Sequence, residues 1–168
     1  MSHTFQDIKE AIQAQFGAEV VVAENVTLAQ PQLTITPVLL QQVCLFLRDD
    51  ERFFFDTLSC LTGLDNGAPK NTIEVIYHLY SIPFNLSVVL KVETERGDGK
   101  DLLPQVPTLC DVWRTANWHE REAFDMYGIQ FTGHPDLRRI LCAADWEGYP
   151  LRKDYTEQEY YHGIKVAY

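Results

Sequence analysis

Two runs separated by five residues do most to limit what this chain can become. Ile73, Val75, Tyr77 and Leu79 alternate with polar or aromatic neighbours, and so do Leu86, Val88, Leu90 and Val92, with Ser87, Lys91 and Glu93 between them. A period of two places one apolar face against a core and one face in water, as in an antiparallel sheet. The intervening Ser81-Ile82-Pro83-Phe84-Asn85 is short enough for a hairpin. A further strand is predicted within Phe53–Leu64, closed by a turn at Asp65-Asn66-Gly67.

The flanking segments have a helical period. Phe5, Ile8, Ile12 and Phe16 form one stripe, with Thr4 able to cap its start and Gly17 to stop it. Leu40, Val43, Cys44 and Leu47 form another, opened by Thr36-Pro37 as cap and first helical residue. Between them lie short β-type runs at 20–23 and 33–36. The sum is an α+β, two-layer fold: a mainly antiparallel sheet with helices packed on one face, plus an extended C-terminal segment. We divide the chain into an α+β core (1–106), a helical and loop segment (107–144) and an aromatic-rich docking tail (145–168). Helices are expected at 108–114 and 118–127, and Glu95–Lys100 as a solvated loop.

Composition excludes several functions. A formal charge of -10 disfavours nucleic acid and polybasic membrane contact. No stretch approaches the roughly 20 apolar residues that span a bilayer. The start, MSHTFQDIKE, lacks the features of a signal peptide. Cysteines 44, 60, 110 and 142 have no CxxC spacing, so they read as buried reduced thiols rather than zinc or cluster ligands.

Residues 119–135, HEREAFDMYGIQFTGHP, are the candidate site. His119-Glu120 does not complete a zinc-protease HExxH, because residue 123 is Ala. On a helix from Trp118, Glu120 falls among apolar residues, where it would close a capping box with Asn117 or meet an arginine from elsewhere. Arg121, Glu122 and Asp125 share the opposite face with Trp118. A tryptophan ringed by charge suits a protein interface. Three carboxylates also admit a hydrolase using Glu120, Glu122 and Asp125, although no nucleophile–base pair accompanies them. An electron carrier with its own metal or flavin is a third class. His134 reads as structural. At least one of Arg138 and Arg139 is expected to pair with acidic groups on a partner, the alternative being that they act as internal braces. Six aromatics in the tail (Trp146, Tyr149, Tyr155, Tyr160, Tyr161, Tyr168) follow no period. Beyond Tyr155 the tail is therefore expected to be mobile or extended until docked.

Several runs together resemble the 30 kDa subunit of respiratory complex I, known in bacteria as the C subunit of NADH–quinone oxidoreductase. They are Glu120-Arg121-Glu122, Asp125-Met126-Tyr127-Gly128-Ile129, Gly133-His134-Pro135-Asp136-Leu137-Arg138-Arg139-Ile140-Leu141 and Asp145-Trp146-Glu147-Gly148-Tyr149-Pro150-Leu151-Arg152-Lys153-Asp154-Tyr155, with Val75–Tyr80 in the hairpin. The likeness is dense over 107–155 and weak before residue 50. It implies a non-catalytic, peripheral-arm subunit of a proton-translocating NADH dehydrogenase, or the same component in a ferredoxin-fed dehydrogenase or membrane-bound hydrogenase. It implies no catalytic, cofactor-binding or metal-binding residue here: FMN, iron–sulfur clusters and quinone would be bound by other subunits. The implied partners are the 49 kDa-type and cluster N2-bearing subunits, on the cytoplasmic side of a bacterial inner membrane. Trp118, Glu120, Arg121, Glu122, Asp125, His134, Asp136, Arg138, Arg139, Trp146, Arg152, Lys153, Asp154 and Tyr155 would then serve as partner contacts or structural ion pairs.

Overall fold

The computed structural model describes residues 3–27 and 29–166. Helix α1 (Phe5–Phe16) opens with a capping box between Thr4 and Asp7 and ends at Gly17. Strands β1 (Val21–Asn25) and β2 (Gln32–Ile35) follow, then a 3-10 turn at Pro37–Leu39 and helix α2 (Leu40–Asp49). Strands β3 (Thr57–Asp65), β4 (Thr72–Ser81) and β5 (Leu86–Glu95) complete one five-stranded sheet in the order β1-β2-β5-β4-β3. Of its pairings only β2–β5 is parallel; β1–β2, β5–β4 and β4–β3 are antiparallel.

The β4–β5 hairpin runs in unbroken register from Thr72↔Glu95 to Ser81↔Leu86. Its inward face carries Ile73, Val75, Tyr77 and Leu79 against Val88, Leu90 and Val92, all buried. The outward face is wet, with Lys70 and Lys91 clasping Glu74 and Glu93. Ile8 and Ile12 from α1 and Leu40, Val43, Cys44 and Leu47 from α2 join the inward face in one core. This is the α+β two-layer arrangement with helices on one side.

Short strands β6 (Gln105–Pro107) and β7 (Gln130–Thr132) pair in parallel and bracket helix α3 (Ala116–Tyr127). Residues 108–114 form turns, not the expected helix. Pro107 ends β6, and the Trp113 indole is drawn to the Phe55 carbonyl at 3.0 Å, which holds the segment to the start of β3 rather than to itself. Strands β8 (Tyr160–Tyr161) and β9 (Ile164–Lys165) make a small hairpin. Residues 156–159 and 162–163 around it have no regular structure. Tyr168, the last aromatic of the tail, lies outside the described residues.

Helix α3 reaches the sheet edge because β3 carries a glycine there. A Cβ on Gly63 would stand 2.6 Å from Tyr127 Cδ2. Intrinsic strand preference favours alanine over glycine, but this contact reverses the sign. Gly63→Ala should destabilise the chain by about 1–3 kcal/mol through overpacking. Urea unfolding of both proteins measures it; an unchanged or raised midpoint would show that α3 does not rest on this glycine.

Candidate functional site

The signature residues begin on α3. Thr115 precedes the helix without a side-chain cap, and Gly128 ends it in the left-handed region (φ 71°), its N–H on the Phe124 carbonyl. Glycine is required here twice over, since a Cβ would also sit 2.5 Å from the Tyr149 ring.

Glu120 closes no capping box and meets no arginine. It is wholly buried, accepting Thr108 Oγ1–H at 2.5 Å and the Leu109 N–H at 2.6 Å, with the Cys110 thiol at 3.6 Å. Burial pushes its carboxyl up to about 7 although these donors pull the other way. The side chain ties α3 to the turn after β6, which the sequence could not reveal because Thr108 and Glu120 meet only through the fold.

Asp125 is equally buried, not on a wet face. Its Oδ2 accepts the N–H groups of Ile140, Leu141 and Cys142 at 3.0, 2.6 and 2.9 Å. Oδ1 accepts Arg139 Nη1 at 2.9 Å. Burial alone would raise this carboxyl, but the three amides and Arg139 more than offset it and hold it below the usual range. Arg139 also donates to the Gly148 carbonyl at 2.7 Å and lies 5.1 Å above the Tyr149 ring. It is an internal brace. Arg138 pairs on the surface with Asp136 at 2.9 Å, a screened contact contributing at most about 1 kcal/mol.

Arg121 is buried too. Its Nε donates to the Arg138 carbonyl at 3.2 Å, and the guanidinium stacks 4.9 Å from the exposed Trp118 ring. Only Glu122 of the three supposed acid–base carboxylates is exposed. Glu120 faces the 108–110 turn and Asp125 the 140–142 turn, so the three do not converge and the hydrolase arrangement is not formed.

His134 Nε2 donates to the Asn117 carbonyl at 3.2 Å, while Nδ1 accepts the Asp136 N–H at 2.9 Å. Cys110, Glu120 and His134 offer ligand-type atoms within 4.8 Å of one another. Each imidazole nitrogen and both Glu120 oxygens are nevertheless committed to hydrogen bonds. Of the cysteines, Cys44 is fully buried, whereas Cys60, Cys110 and Cys142 are half-buried; all are free thiols.

A second charged centre was not legible. Arg96, in the supposedly solvated 95–100 loop, is buried and clamps Asp65 with Nε–Oδ1 at 2.6 Å and Nη2–Oδ2 at 2.9 Å. Nη2 also reaches Asp154 Oδ1 at 2.5 Å. Asp65 further accepts the N–H groups of Gly67 and Lys153 at 2.8 Å. Burial opposes its ionisation, yet the guanidinium and these amides hold it far below the ordinary range. Arg152 adds Nε to the Tyr127 carbonyl at 2.7 Å and Nη2 to the Arg96 carbonyl at 2.9 Å. The segment 151–154 is thereby fastened to the ends of β3, β5 and α3.

The tail folds back beyond this point. Trp146 Nε1 donates to the Tyr155 hydroxyl at 3.0 Å and its ring lies 5.2 Å from that of Tyr161. The Tyr161 hydroxyl and His162 both hold Asp145. Past Tyr155 the chain forms a small surface hairpin that rests on Trp146.

Comparison with known proteins places these features in a wider set. The family model described as the respiratory-chain NADH dehydrogenase 30 kDa subunit matches residues 33–161. A C subunit of NADH–quinone oxidoreductase from Chloroherpeton thalassium is 45% identical over 159 residues, covering 94% of this chain and 63% of that protein. A second, from Chlorobium phaeobacteroides, is 48% identical over 127 residues, covering 75% and 73%. A C/D subunit from Azotobacter vinelandii is 40% identical, and the chain spans 26% of it. A chain of the archaeal membrane-bound sulfane sulfur reductase superposes with TM-score 0.69 at 20% identity, over 90% of this chain and 85% of that one, which extends the likeness in fold. Among the described residues no helix is long and apolar enough to cross a membrane.

Glu120 supplies a signed test. Its pKa rises from 4.5 in the unfolded chain to about 7 in the fold. Ionising it therefore costs stability: the favourable contribution is complete below pH 4.5 and is lost as pH rises through 7. Glu120→Gln should match wild type near pH 4.5 and exceed it by about 1–3 kcal/mol at pH 8. Denaturant melts at the two pH values decide; an equal offset at both would mean that Glu120 does not titrate in this range. Asp125→Asn should act oppositely at pH 7, costing about 3–5 kcal/mol by leaving Arg139 buried without its anion.

Proposed function

The chain belongs to the family of the respiratory-chain NADH dehydrogenase 30 kDa subunit, and from that membership we propose that it is a peripheral, non-catalytic subunit of an NADH–quinone oxidoreductase. In this reading it holds together the neighbours that reduce quinone. Those neighbours are the 49 kDa-type and cluster N2-bearing subunits. The chain carries no redox group itself, and the assembly lies on the cytoplasmic side of a bacterial inner membrane.

One observation carries the reading. Part of the signature's charge is turned inward, where Glu120, Asp125, Arg139 and Arg152 each hold main-chain groups. Outside, among surface charges such as Glu122, Asp136, Arg138 and Glu147, the same region displays large apolar side chains: Trp118, Leu141, Leu151, Tyr160 and Ile164 are all more than half exposed. A monomer gains nothing by displaying such residues, whereas an interface is built from them. Charges that fix a backbone and aromatics that face outward are what a scaffold needs. Relatives at 39–48% identity are named as C subunits of NADH–quinone oxidoreductase, which favours an NADH-fed complex over the ferredoxin-fed or hydrogenase alternatives.

Affinity capture of the chain from its native cell tests this: subunits of an NADH dehydrogenase should accompany it. Trp118→Ser should lower the isolated chain's stability by about 1 kcal/mol or less, through the lost stacking on Arg121, yet reduce the recovered subunits severalfold. Full recovery with the variant would remove Trp118 from the interface, and recovery of no respiratory subunit with wild type would sink the reading.

A further inference from the structure

An open cleft of about 510 Å³ lies between the end of α2, the start of β3 and the 112–115 turn. Leu58, Val112 and Trp113 make its apolar floor, all nearly closed to solvent, and Phe54 lines it while 44% exposed. The polar lining is largely spent. Arg48 gives Nε and Nη2 to Asp49 and Nη1 to the Val112 carbonyl at 3.0 Å. Asp56 accepts the Ile82 N–H at 3.0 Å, and the Trp113 indole N–H is taken by the Phe55 carbonyl. The lining charges balance, Arg48 and Arg114 against Asp49 and Asp56, so neither sign is selected. What the cleft offers is apolar contact, and a charged group entering it would lose water without a matching partner.

Phe54 is the unusual member. Its N–H closes a turn onto the Asp50 carbonyl at 2.8 Å, and the residue takes the left-handed position that ends it (φ 43°). Glycine or asparagine is the ordinary choice there. A Cβ in this region costs stability, and a bulky side chain in it is an outlier. The turn delivers Phe53 and Phe55 to the core, but a glycine between them would do so without strain. The turn therefore does not need the Phe54 ring, and strain retained at an exposed position points to a use for the side chain. Next to it the β4–β5 turn, tied to Asp56 through Ile82, displays Ile82 and Phe84 to solvent.

We propose that this cleft receives a bulky apolar side chain from the partner that covers Trp118, seated against Phe54 and Trp113. The inference rests on the reading of the chain as an assembly subunit and extends the contact surface of that reading. Trp118 lies in the first turn of α3, three residues past Thr115 of the cleft lining, so one partner surface reaches both. The strain at Phe54 is borne by the free chain and offset when the ring is covered.

The test compares hydroxyl-radical footprinting of the isolated chain with that of the complex captured from its native cell. Oxidation of Phe54 should fall severalfold in the complex, together with that of Trp118. Phe54→Asn, which suits the left-handed backbone, should leave the urea midpoint of the isolated chain unchanged or raised, yet reduce the recovered subunits severalfold. Protection of Trp118 without Phe54, or full recovery with Phe54→Asn, overturns this inference alone. If Phe54→Asn lowers the midpoint, the footprint of the unaltered chain decides. Protection of Phe54 that appears in the isolated chain as its concentration is raised would give the cleft to a second copy and overturns the assignment to a partner. Capture of no respiratory subunit by the wild-type chain sinks the assembly reading itself.

Discussion

Asp65 is the point on which the C-terminal half depends. It ends β3, and it gathers Arg96 from the end of β5, the Gly67 amide of the following turn and the Lys153 amide from far along the chain. A carboxylate with one charged fork and two amides loses little by leaving water, because each lone pair finds a donor. Without it Arg96 would be a buried cation with only Asp154 beside it, and residues 151–154 would lose their seat on the sheet. The course of the C-terminal segment over the end of β3 thus depends on one side chain.

Asp125 repeats this logic one turn from the end of α3. Three consecutive amides converge on one oxygen, so the 140–142 backbone is shaped around the charge. Glu120 shows what happens when a carboxylate is buried with fewer and uncharged donors: its proton is held to near neutrality. Both acids are closed to solvent and lie five residues apart on one helix, but burial weighs more on Glu120, and Asp125 has three amides and a guanidinium where Glu120 has one amide, a hydroxyl and a thiol. Charge at these positions organises the turns that follow β6 and β7, and leaves no pair of carboxylates facing a common substrate.

The buried charges make a rigid frame, and the large apolar side chains set among exposed charges make a surface that favours contact. The chain spans 63% of the length of its Chloroherpeton relative.

The β4–β5 hairpin, the stripes of α1 and α2, the Gly17 stop and the two-layer class were legible in the sequence, because period and capping are local properties of neighbouring residues. The order β1-β2-β5-β4-β3, with its single parallel pairing, was not, since no local pattern says which strand lies beside which. The same division runs through the site. The run from Glu120 to Tyr155 could be singled out as a charged signature, but helical geometry alone put Asp125 and Arg121 in water. Tertiary structure buried them by bringing up residues 138–142, and it moved Arg96 from a presumed loop to the centre of an ion cluster. Sequence determined which groups carry charge and where helices and strands begin; only the fold decided which charges meet, because that depends on contacts between residues as far apart as Asp65 and Lys153.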